Sequence, residues 1–215
     1  MKYYQNKPQG YYDNVRREML HYLPEKAKKI LEVGCGNGAF AFLVKQKNDA
    51  EVWGIELMEE EAIIAKTVLD NVLIGSCEIY LNELPEKYFD AIYFNDVLEH
   101  LADPYSALEI LKSKLAPNGV IISSIPNVRF YRSFAKVVFA KDWKYEEYGI
   151  MDKTHLRFFT GKSIKRMYED LGYKVLVHEG LNKTKSLKPF LFNALVLFTQ
   201  MDIINHQYAT VACLK

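Results

Sequence analysis

The sequence predicts an α/β fold in which a mostly parallel sheet carries helices on both faces. Short apolar runs alternate with helical segments through the first two-thirds of the 215 residues. The runs are almost continuously hydrophobic, which is typical of parallel strands covered on both sides. The predicted strands of this part are residues 29–33, 51–56, 72–75, 90–95 and 120–124, and the predicted helices are residues 39–46, 59–70 and 104–115.

The alternation stops after residue 124. Residues 125–160 are rich in aromatic and basic residues and contain no clear strand, so we interpret them as a lid insertion that faces a substrate. A helix at 161–171, a strand at 173–179, a helix at 187–201 and a strand at 208–214 complete the prediction. The most apolar run, residues 190–198, is far shorter than the roughly 20 residues of a membrane span. We therefore expect it to form a buried helix.

Charge is unevenly distributed along the chain. Residues 1–124 carry a net charge of −6 and residues 125–215 a net charge of +7. The basic second half suggests a binding region for an anionic substrate, although a solvated basic surface explains it equally well. Three cysteines at no metal-like spacing and a polar, aromatic N-terminus predict a reduced, cytoplasmic protein without a signal peptide.

Residues 29–40, KILEVGCGNGAF, form the most informative block. An apolar strand runs into three closely spaced glycines and then into the start of a helix, so free backbone N–H groups can contact a ligand directly. Gly34, Gly36 and Ala39 satisfy the dinucleotide pattern, and Glu56 follows Gly36 by 20 residues. These residues alone leave open whether the ligand is a dinucleotide or S-adenosylmethionine.

Four blocks together resemble the class I S-adenosylmethionine-dependent methyltransferases. They are E-x-G-C-G-x-G (Glu32 to Gly38), Glu56 at the end of the second strand, FDAIYFNDVLEHLADP (Phe89 to Pro104) and LKSKLAPNGVIISSIPN (Leu111 to Asn127). The resemblance implies a Rossmann-like sheet of seven strands, the last antiparallel, with S-adenosylmethionine as cofactor and S-adenosylhomocysteine as product. It also divides one expected domain into an N-terminal cap helix (1–27), a cofactor-binding core (28–124), the lid (125–160) and a C-terminal completion of the sheet (161–215).

The same resemblance implies roles for individual residues. The glycines would pass beneath the cofactor, Glu32 would orient its amino-acid end, and Glu56 would accept its ribose hydroxyls. Ser76 stands where the family usually has an acid near the adenine. The expected cofactor-binding residues are Glu32, Gly34, Cys35, Gly36, Gly38, Glu56, Leu57, Ser76 and Asn95.

Asp96, Glu99 and His100 follow the fourth predicted strand at helical spacing, which would place them on one face. The arrangement resembles that of metal-dependent members of the superfamily, which carry Glu where this chain has Asp96. The same run occurs in members without a known metal. We therefore expect local hydrogen bonding here and no divalent metal.

Residues 149–160, GIMDKTHLRFFT, resemble a segment of the methyltransferases of bacterial sugar and glycan biosynthesis. His155 is the candidate general base, Asp152 would orient its imidazole, and Arg157 would bind an anionic group of the acceptor. Tyr131 and Tyr11 are further candidate acceptor contacts. The alternative is a polar loop that enters a helix, with Thr160 as the N-cap.

We expect methyl transfer to a hydroxyl of a sugar or a related anionic metabolite. Two alternatives remain, a metal-assisted O-methyltransferase of quinone-type phenols and a cofactor-binding protein without turnover. The expected partner is a small-molecule acceptor, with no nucleic acid and no membrane span, and the protein is expected to be a monomer or homodimer.

Overall fold

The structure is a computed structural model, and it describes residues 15–215. The strands are β1 (Lys29–Val33), β2 (Glu51–Glu56), β3 (Asn71–Ile74), β4 (Phe89–Asn95), β5 (Leu115–Pro126), β6 (Tyr173–Leu181) and β7 (Gln207–Leu214). The α-helices are α1 (Ala39–Asn48), α2 (Glu59–Ala65), α3 (Cys77–Tyr80), α4 (Pro104–Leu111), α5 (Tyr131–Val138), α6 (Gly161–Asp170) and α7 (Lys188–Leu195). Short 3₁₀ helices cover Arg17–Tyr22, Leu98–His100 and Met201–Ile204.

The seven strands form one sheet in the order β3-β2-β1-β4-β5-β7-β6. The neighbours from β3 to β5 pair in parallel, and β7 pairs antiparallel with both β5 and β6. This arrangement confirms the predicted Rossmann-like sheet with an antiparallel last strand.

Both faces of the sheet are covered, as predicted. Consecutive residues of a strand point to opposite faces, so Ile30 and Leu31 of β1 enter two different cores. Leu31 packs in the core that α4 and α6 cover, whereas Ile30 packs with Phe40 and Val44 of α1. The apolar character of β1 on both sides therefore follows from two separate packing layers.

The strand order reverses direction between β1 and β4. The chain leaves β1 toward β2 and β3 and then crosses back to β4 on the other side of β1. The loops that follow β1 and β4 consequently diverge and leave a crevice at the carboxyl ends of these strands. The predicted cofactor residues Glu32, Glu56 and Asn95 all lie in the last two positions of their strands.

The prediction for residues 187–201 is wrong in two respects. Helix α7 ends at Leu195, and the apolar run is not buried, since Leu191, Leu195 and Leu197 are 70%, 84% and 83% exposed. The physical reason is that α7 packs through one side only, where Pro189 and Asn193 are buried and Phe192 is half-buried.

The predictions for residues 125–160 and for the N-terminal cap helix agree with the structure only in part. Within residues 125–160 the structure has the helix α5, which the sequence did not predict. The described part of the predicted N-terminal cap helix contains a 3₁₀ helix at Arg17–Tyr22, while Tyr11 lies outside the described residues.

Candidate active site

A cleft of about 1640 Å³ opens at the carboxyl ends of β1, β2 and β4. Its walls are the loop after β1, the end of β2, the start of α3, the turn after β4 and residues 144–152. Pockets for a single small ligand typically measure about 300–1,000 Å³. The cleft is therefore large enough for a cofactor and an acceptor together.

The glycine loop after β1 adopts a backbone that side chains would obstruct. Gly34 has φ +71°, and a Cβ there would lie 2.5 Å from Cγ2 of Val97. Gly38 has φ +83°, and a Cβ there would lie 3.2 Å from the Cα of Ala65. Gly34 and Gly36 line the cleft, whereas Gly38 stands at the N-cap of α1, outside the lining, where it permits close packing on α2.

Glu56 ties the glycine loop to the end of β2. Its Oε2 accepts a hydrogen bond from the Gly36 N–H at 2.8 Å, and its Oε1 accepts one from the Met58 N–H at 2.8 Å. Burial raises the pKa of this carboxyl group, and the backbone N–H groups oppose that shift. Each carboxylate oxygen keeps a second lone pair, so the group can still accept hydrogen bonds from a ligand in the cleft.

Glu32 and Asn95 present acceptors that lack donors. Asn95 Nδ2 donates to Glu32 Oε1 at 3.0 Å. Within the described residues, the buried Glu32 Oε2 and Asn95 Oδ1 have no hydrogen-bond partner. Burial raises the pKa of Glu32 to about 8, with a smaller contribution from the negative charge of Glu56. Leaving such atoms unpaired is costly, so their placement indicates a ligand that supplies donors.

The other predicted cofactor residues are Cys35, Leu57 and Ser76, and all three line the cleft. The Cys35 sulfur packs against Gly54, where a Cβ would lie 2.5 Å from it, and burial raises the pKa of the thiol. This cysteine is consequently an unreactive packing residue whose backbone belongs to the loop. Ser76 donates through Oγ to Glu78 at 3.3 Å.

The predicted grouping of Asp96, Glu99 and His100 on one helical face is wrong. Asp96 has φ +55°, and the turn that follows is a 3₁₀ helix beginning at Leu98, so helical spacing does not apply. The Asp96 carboxylate instead accepts hydrogen bonds from Ser124 Oγ at 3.0 Å and from the Arg16 guanidinium. It therefore joins β4 to β5 and to the residues before β1.

The side chains of Glu99 and His100 lie next to the His155 side chain and not next to Asp96. One ligand-capable atom from each of the three side chains lies within 4.8 Å of the others, and the two imidazole rings are 4.7 Å apart. His155 Nε2 lies 4.0 Å from Glu99 Oε1. Backbone hydrogen bonds from Leu156 and Arg157 to the Glu99 carbonyl hold the two segments together.

The backbone carbonyl groups that contact His155 and His100 determine which ring nitrogen of each carries the proton. His155 Nδ1 lies 3.0 Å from the Ile150 carbonyl oxygen, and His100 Nδ1 lies 3.1 Å from the Thr154 carbonyl oxygen. A carbonyl oxygen only accepts, so each Nδ1 carries a proton and each Nε2 is the basic nitrogen of the neutral ring. Burial raises the pKa of the neighbouring Glu99 to about 8.

Asp152 and Arg157 occupy different surroundings. Asp152 is buried at the cleft wall, and its Oδ1 accepts from the Thr154 N–H at 2.8 Å and from Thr154 Oγ1 at 2.7 Å. Arg157 donates to the Ala102 carbonyl and is not among the residues that line the cleft. Thr160 is the N-cap of α6, as the alternative interpretation predicted.

The part of the cleft lined by α5 and by residues 144–152, which we call the candidate acceptor end, contains aromatic side chains and charged side chains of both signs. Tyr131 lines this part of the cleft, and its contact with an acceptor stays a prediction, whereas sequence reasoning missed the residues that only tertiary packing brings there. These residues are Phe130, Arg132, Lys144, Tyr148, Met151, His206 and Gln207. The one available signal was the aromatic and basic enrichment of residues 125–160, which does not identify individual contacts.

The raised pKa of Glu32 predicts that the free energy of unfolding depends on pH. Its pKa rises from an ordinary value of 4.5 to about 8 on folding, so the folded protein keeps a proton that the unfolded chain releases. The stabilisation is complete below about pH 4.5 and is lost as the pH rises through about 8, with a slope of up to about 1.4 kcal/mol per pH unit. Urea unfolding of the ligand-free protein at a series of pH values should show this decline, and Glu32→Gln should flatten it. Glu78→Gln, at an exposed acid on the same cleft, is the control, and an equal slope in all three proteins contradicts the prediction.

The comparisons with known proteins agree with the fold. A family model described as a methyltransferase domain matches residues 4–178. A ubiquinone biosynthesis O-methyltransferase of Histophilus somni is 31% identical over 140 residues, covering 58% of this chain and 57% of the relative. An uncharacterized methyltransferase of Schizosaccharomyces pombe is 34% identical over 115 residues, covering 48% and 41%. The chain thus spans less than two-thirds of the length of these curated relatives.

Among solved structures, a methyltransferase of Archaeoglobus fulgidus described as SAM-dependent superposes with a TM-score of 0.73. It is 22% identical in sequence and is aligned over 94% of this chain and 93% of its own. This likeness shows the fold, and the family model covers well over half of the sequence. The chain therefore belongs to the methyltransferase domain family.

Proposed function

We propose that this protein transfers the methyl group of S-adenosylmethionine to the hydroxyl of a small aromatic acceptor that carries a negative charge. The observation that carries the proposal is a pair of buried acceptors beside the glycine loop, Glu32 Oε2 and Asn95 Oδ1, that have no donor among residues 15–215. An ammonium group supplies several donors and no acceptor, so the amino-acid end of the cofactor satisfies both atoms.

The charges around the loop favour this cofactor over a dinucleotide. Glu32 and Glu56 are both buried at the loop, and two carboxyl groups there oppose the approach of a pyrophosphate. The same carboxyl groups suit a ligand that carries a sulfonium and an ammonium. Glu56, held between two backbone N–H groups, has free lone pairs for two ribose hydroxyls.

The aromatic lining supports a phenolic acceptor. Phe130, Tyr131 and Tyr148 contribute rings to the acceptor end, and Met151 adds an apolar contact. Arg132 and Lys144 line the same region and suit a carboxylate or phosphate on the acceptor. The names of the ubiquinone O-methyltransferase relatives agree with this acceptor class. A sugar hydroxyl is the competing acceptor.

His155 is the proposed general base. Its Nδ1 is held by the Ile150 carbonyl, which directs Nε2 toward Glu99, and both residues line the cleft. The hydroxyl proton passes to Nε2 as the acceptor oxygen attacks the methyl carbon in line with the leaving sulfur. Glu99, with a pKa of about 8, can hold or release a proton near neutral pH and so assists the imidazole.

Glu56→Gln should weaken the binding of S-adenosylhomocysteine by about tenfold to a hundredfold, since charge-assisted hydrogen bonds contribute about 1.5–3 kcal/mol each. Calorimetric titration measures this affinity directly. Glu60→Gln, at an exposed acid of α2, serves as the matched control and should bind like the parent. Unchanged affinity in Glu56→Gln would exclude the ribose role, and binding of NAD instead of S-adenosylhomocysteine would overturn the proposed cofactor.

His155→Gln should lower the rate of methyl transfer by about 10²–10⁴-fold, because it removes the base. The affinity for S-adenosylhomocysteine should stay the same, since the cofactor residues are separate. Transfer from radiolabelled S-adenosylmethionine to a panel of phenols and nucleotide sugars measures the rate, with His21→Gln at an exposed position as control. Transfer to sugars alone would correct the acceptor class, and cofactor binding without transfer to any acceptor would support the non-catalytic alternative.

A metal-assisted reaction is the second candidate, and the grouping of Glu99, His100 and His155 favours it. Both histidines present Nε2 because backbone carbonyls hold Nδ1, as is usual for metal-binding histidines. Neither Glu99 oxygen has a hydrogen-bond partner within the described residues. These three side chains would hold a divalent cation, which lowers the pKa of a bound hydroxyl.

Chelation separates the two candidates. If His155 acts as a base, treatment with EDTA followed by desalting should leave the rate of transfer unchanged. If a metal assists, the rate should fall by about tenfold or more and return when a divalent cation is added back. Elemental analysis of the purified protein, with His100→Gln for comparison, gives a readout that does not depend on activity.

A further inference from the structure

The connection between β6 and β7 exposes five large apolar side chains. We call this set the apolar ridge, and its members are Leu187, Leu191, Leu195, Leu197 and Phe198. The first three recur at intervals of four along α7, which places them on one side of the helix. Soluble proteins rarely leave such a group in water without a binding partner.

The ridge belongs to a well-bonded element rather than to a loose end. The buried Asn193 side chain donates to the carbonyl oxygens of Pro189 and Gln200, and its Oδ1 accepts from the Gln200 N–H at 2.9 Å. These bonds close the turn after α7 from inside. The apolar side chains are therefore held outward by the structure itself.

The C-terminal end of α5 extends the same surface. The Phe192 ring lies 5.6 Å from that of Phe134 and 6.5 Å from that of Phe139. Phe139 and Val138 are themselves exposed. Two helices, joined by ring contacts, thus contribute to one apolar surface.

The segment that carries the ridge has charges of a single sign. Residues 181–200 contain Lys183, Lys185 and Lys188 and no Asp or Glu. All three lysines are exposed, and none forms an ion pair with any residue of the described range 15–215. Apolar side chains beside unpaired lysines are typical of segments that lie at the surface of an anionic bilayer.

The lysines also argue against a second copy of this chain as the binding partner of the ridge. A twofold contact through the ridge would bring the same surface of each copy together. Three lysines would then face three lysines with no acid in the segment to pair them, which is destabilising. An anionic lipid surface supplies the missing negative charge and an apolar layer for the leucines at the same time.

We propose that the apolar ridge and its three lysines bind the surface of a membrane that contains anionic phospholipids. In this proposal the ridge lies against the lipid surface. No helix among the described residues is long and apolar enough to cross a bilayer. A groove below the ridge, lined by Phe139, Lys188 and Phe192, shares Tyr131, Arg132 and Lys136 with the acceptor end of the cleft. Binding in this orientation brings the cleft close to the lipid surface.

Vesicle sedimentation tests the proposal without cofactor or acceptor, so its outcome is independent of the proposed methyl transfer. The parent protein should sediment with vesicles of equal parts phosphatidylcholine and phosphatidylglycerol at low salt, and much less with phosphatidylcholine alone. Leu191→Ser/Leu195→Ser should weaken sedimentation by about tenfold or more, because two exposed leucines lose their apolar contact. Lys183→Gln/Lys185→Gln/Lys188→Gln should also weaken it, and raised salt should have the same effect on the parent.

Two matched controls separate the ridge from general hydrophobicity and charge. Ile63→Ser/Ile64→Ser removes another exposed apolar pair, 55% and 51% exposed, from α2, which begins with three glutamates. Lys26→Gln/Lys66→Gln/Lys162→Gln removes three exposed lysines elsewhere. Both controls should sediment like the parent, and thermal melting should show all variants folded, since the altered side chains are exposed.

Three results would overturn the proposal. They are no sedimentation of the parent with either vesicle type, equal sedimentation of Leu191→Ser/Leu195→Ser and the parent, and a dimer in light scattering that the same variant converts to a monomer. The last result would assign the ridge to a second copy of the chain.

Discussion

The attachment of the glycine loop to the end of β2 is the contact on which the site depends. The Glu56 carboxylate accepts hydrogen bonds from the backbone of Gly36 and of Met58, and the Ile55 carbonyl accepts from the N–H groups of Gly34 and Cys35. These bonds join two neighbouring strands at their carboxyl ends, where the strand order reverses. The loop is thereby held open as a bare backbone surface for a ligand.

The same arrangement leaves the ligand-free site electrostatically unfavourable. Glu32 and Glu56 are buried near each other, and burial raises the pKa of both. A buried carboxyl without a full set of hydrogen bonds lowers stability, and a cationic ligand relieves this cost. The two carboxyl groups thus contribute to ligand selectivity, because they favour a ligand with donors and positive charge over an anionic ligand.

The candidate acceptor end is assembled from segments that are distant in sequence. Residues 149–160 dock on the turn after β4 through the Glu99 carbonyl, which places His155 against Glu99 and His100. Helix α5 supplies Tyr131 and Arg132, which also border the groove beneath the apolar ridge. Tyr131 and Arg132 therefore lie between the candidate acceptor end and the surface that we propose binds the membrane.

Local patterns determined much of the fold. Near-continuous apolar strands predicted a parallel sheet covered on both faces, and the glycines after β1 predicted a ligand loop, because these signals depend on backbone geometry and on the periodicity of burial. The antiparallel last strand followed from the family resemblance. The family resemblance also singled out Glu32, Glu56 and Asn95 as candidate cofactor residues, and all three lie at strand ends that a parallel sheet brings to one edge.

The tertiary structure decided which side chains meet and which remain exposed. Helical spacing predicted that Asp96, Glu99 and His100 lie together, but the left-handed backbone at Asp96 separates it from the other two. His155, from a distant segment, takes its place beside Glu99 and His100. The apolar run in residues 190–198 predicted burial, yet within α7 only Pro189 and Asn193 are fully buried, and Phe192 is half-buried. No local pattern encodes these outcomes. Which distant segments meet, and how much of a helix the rest of the protein covers, depends on the whole fold.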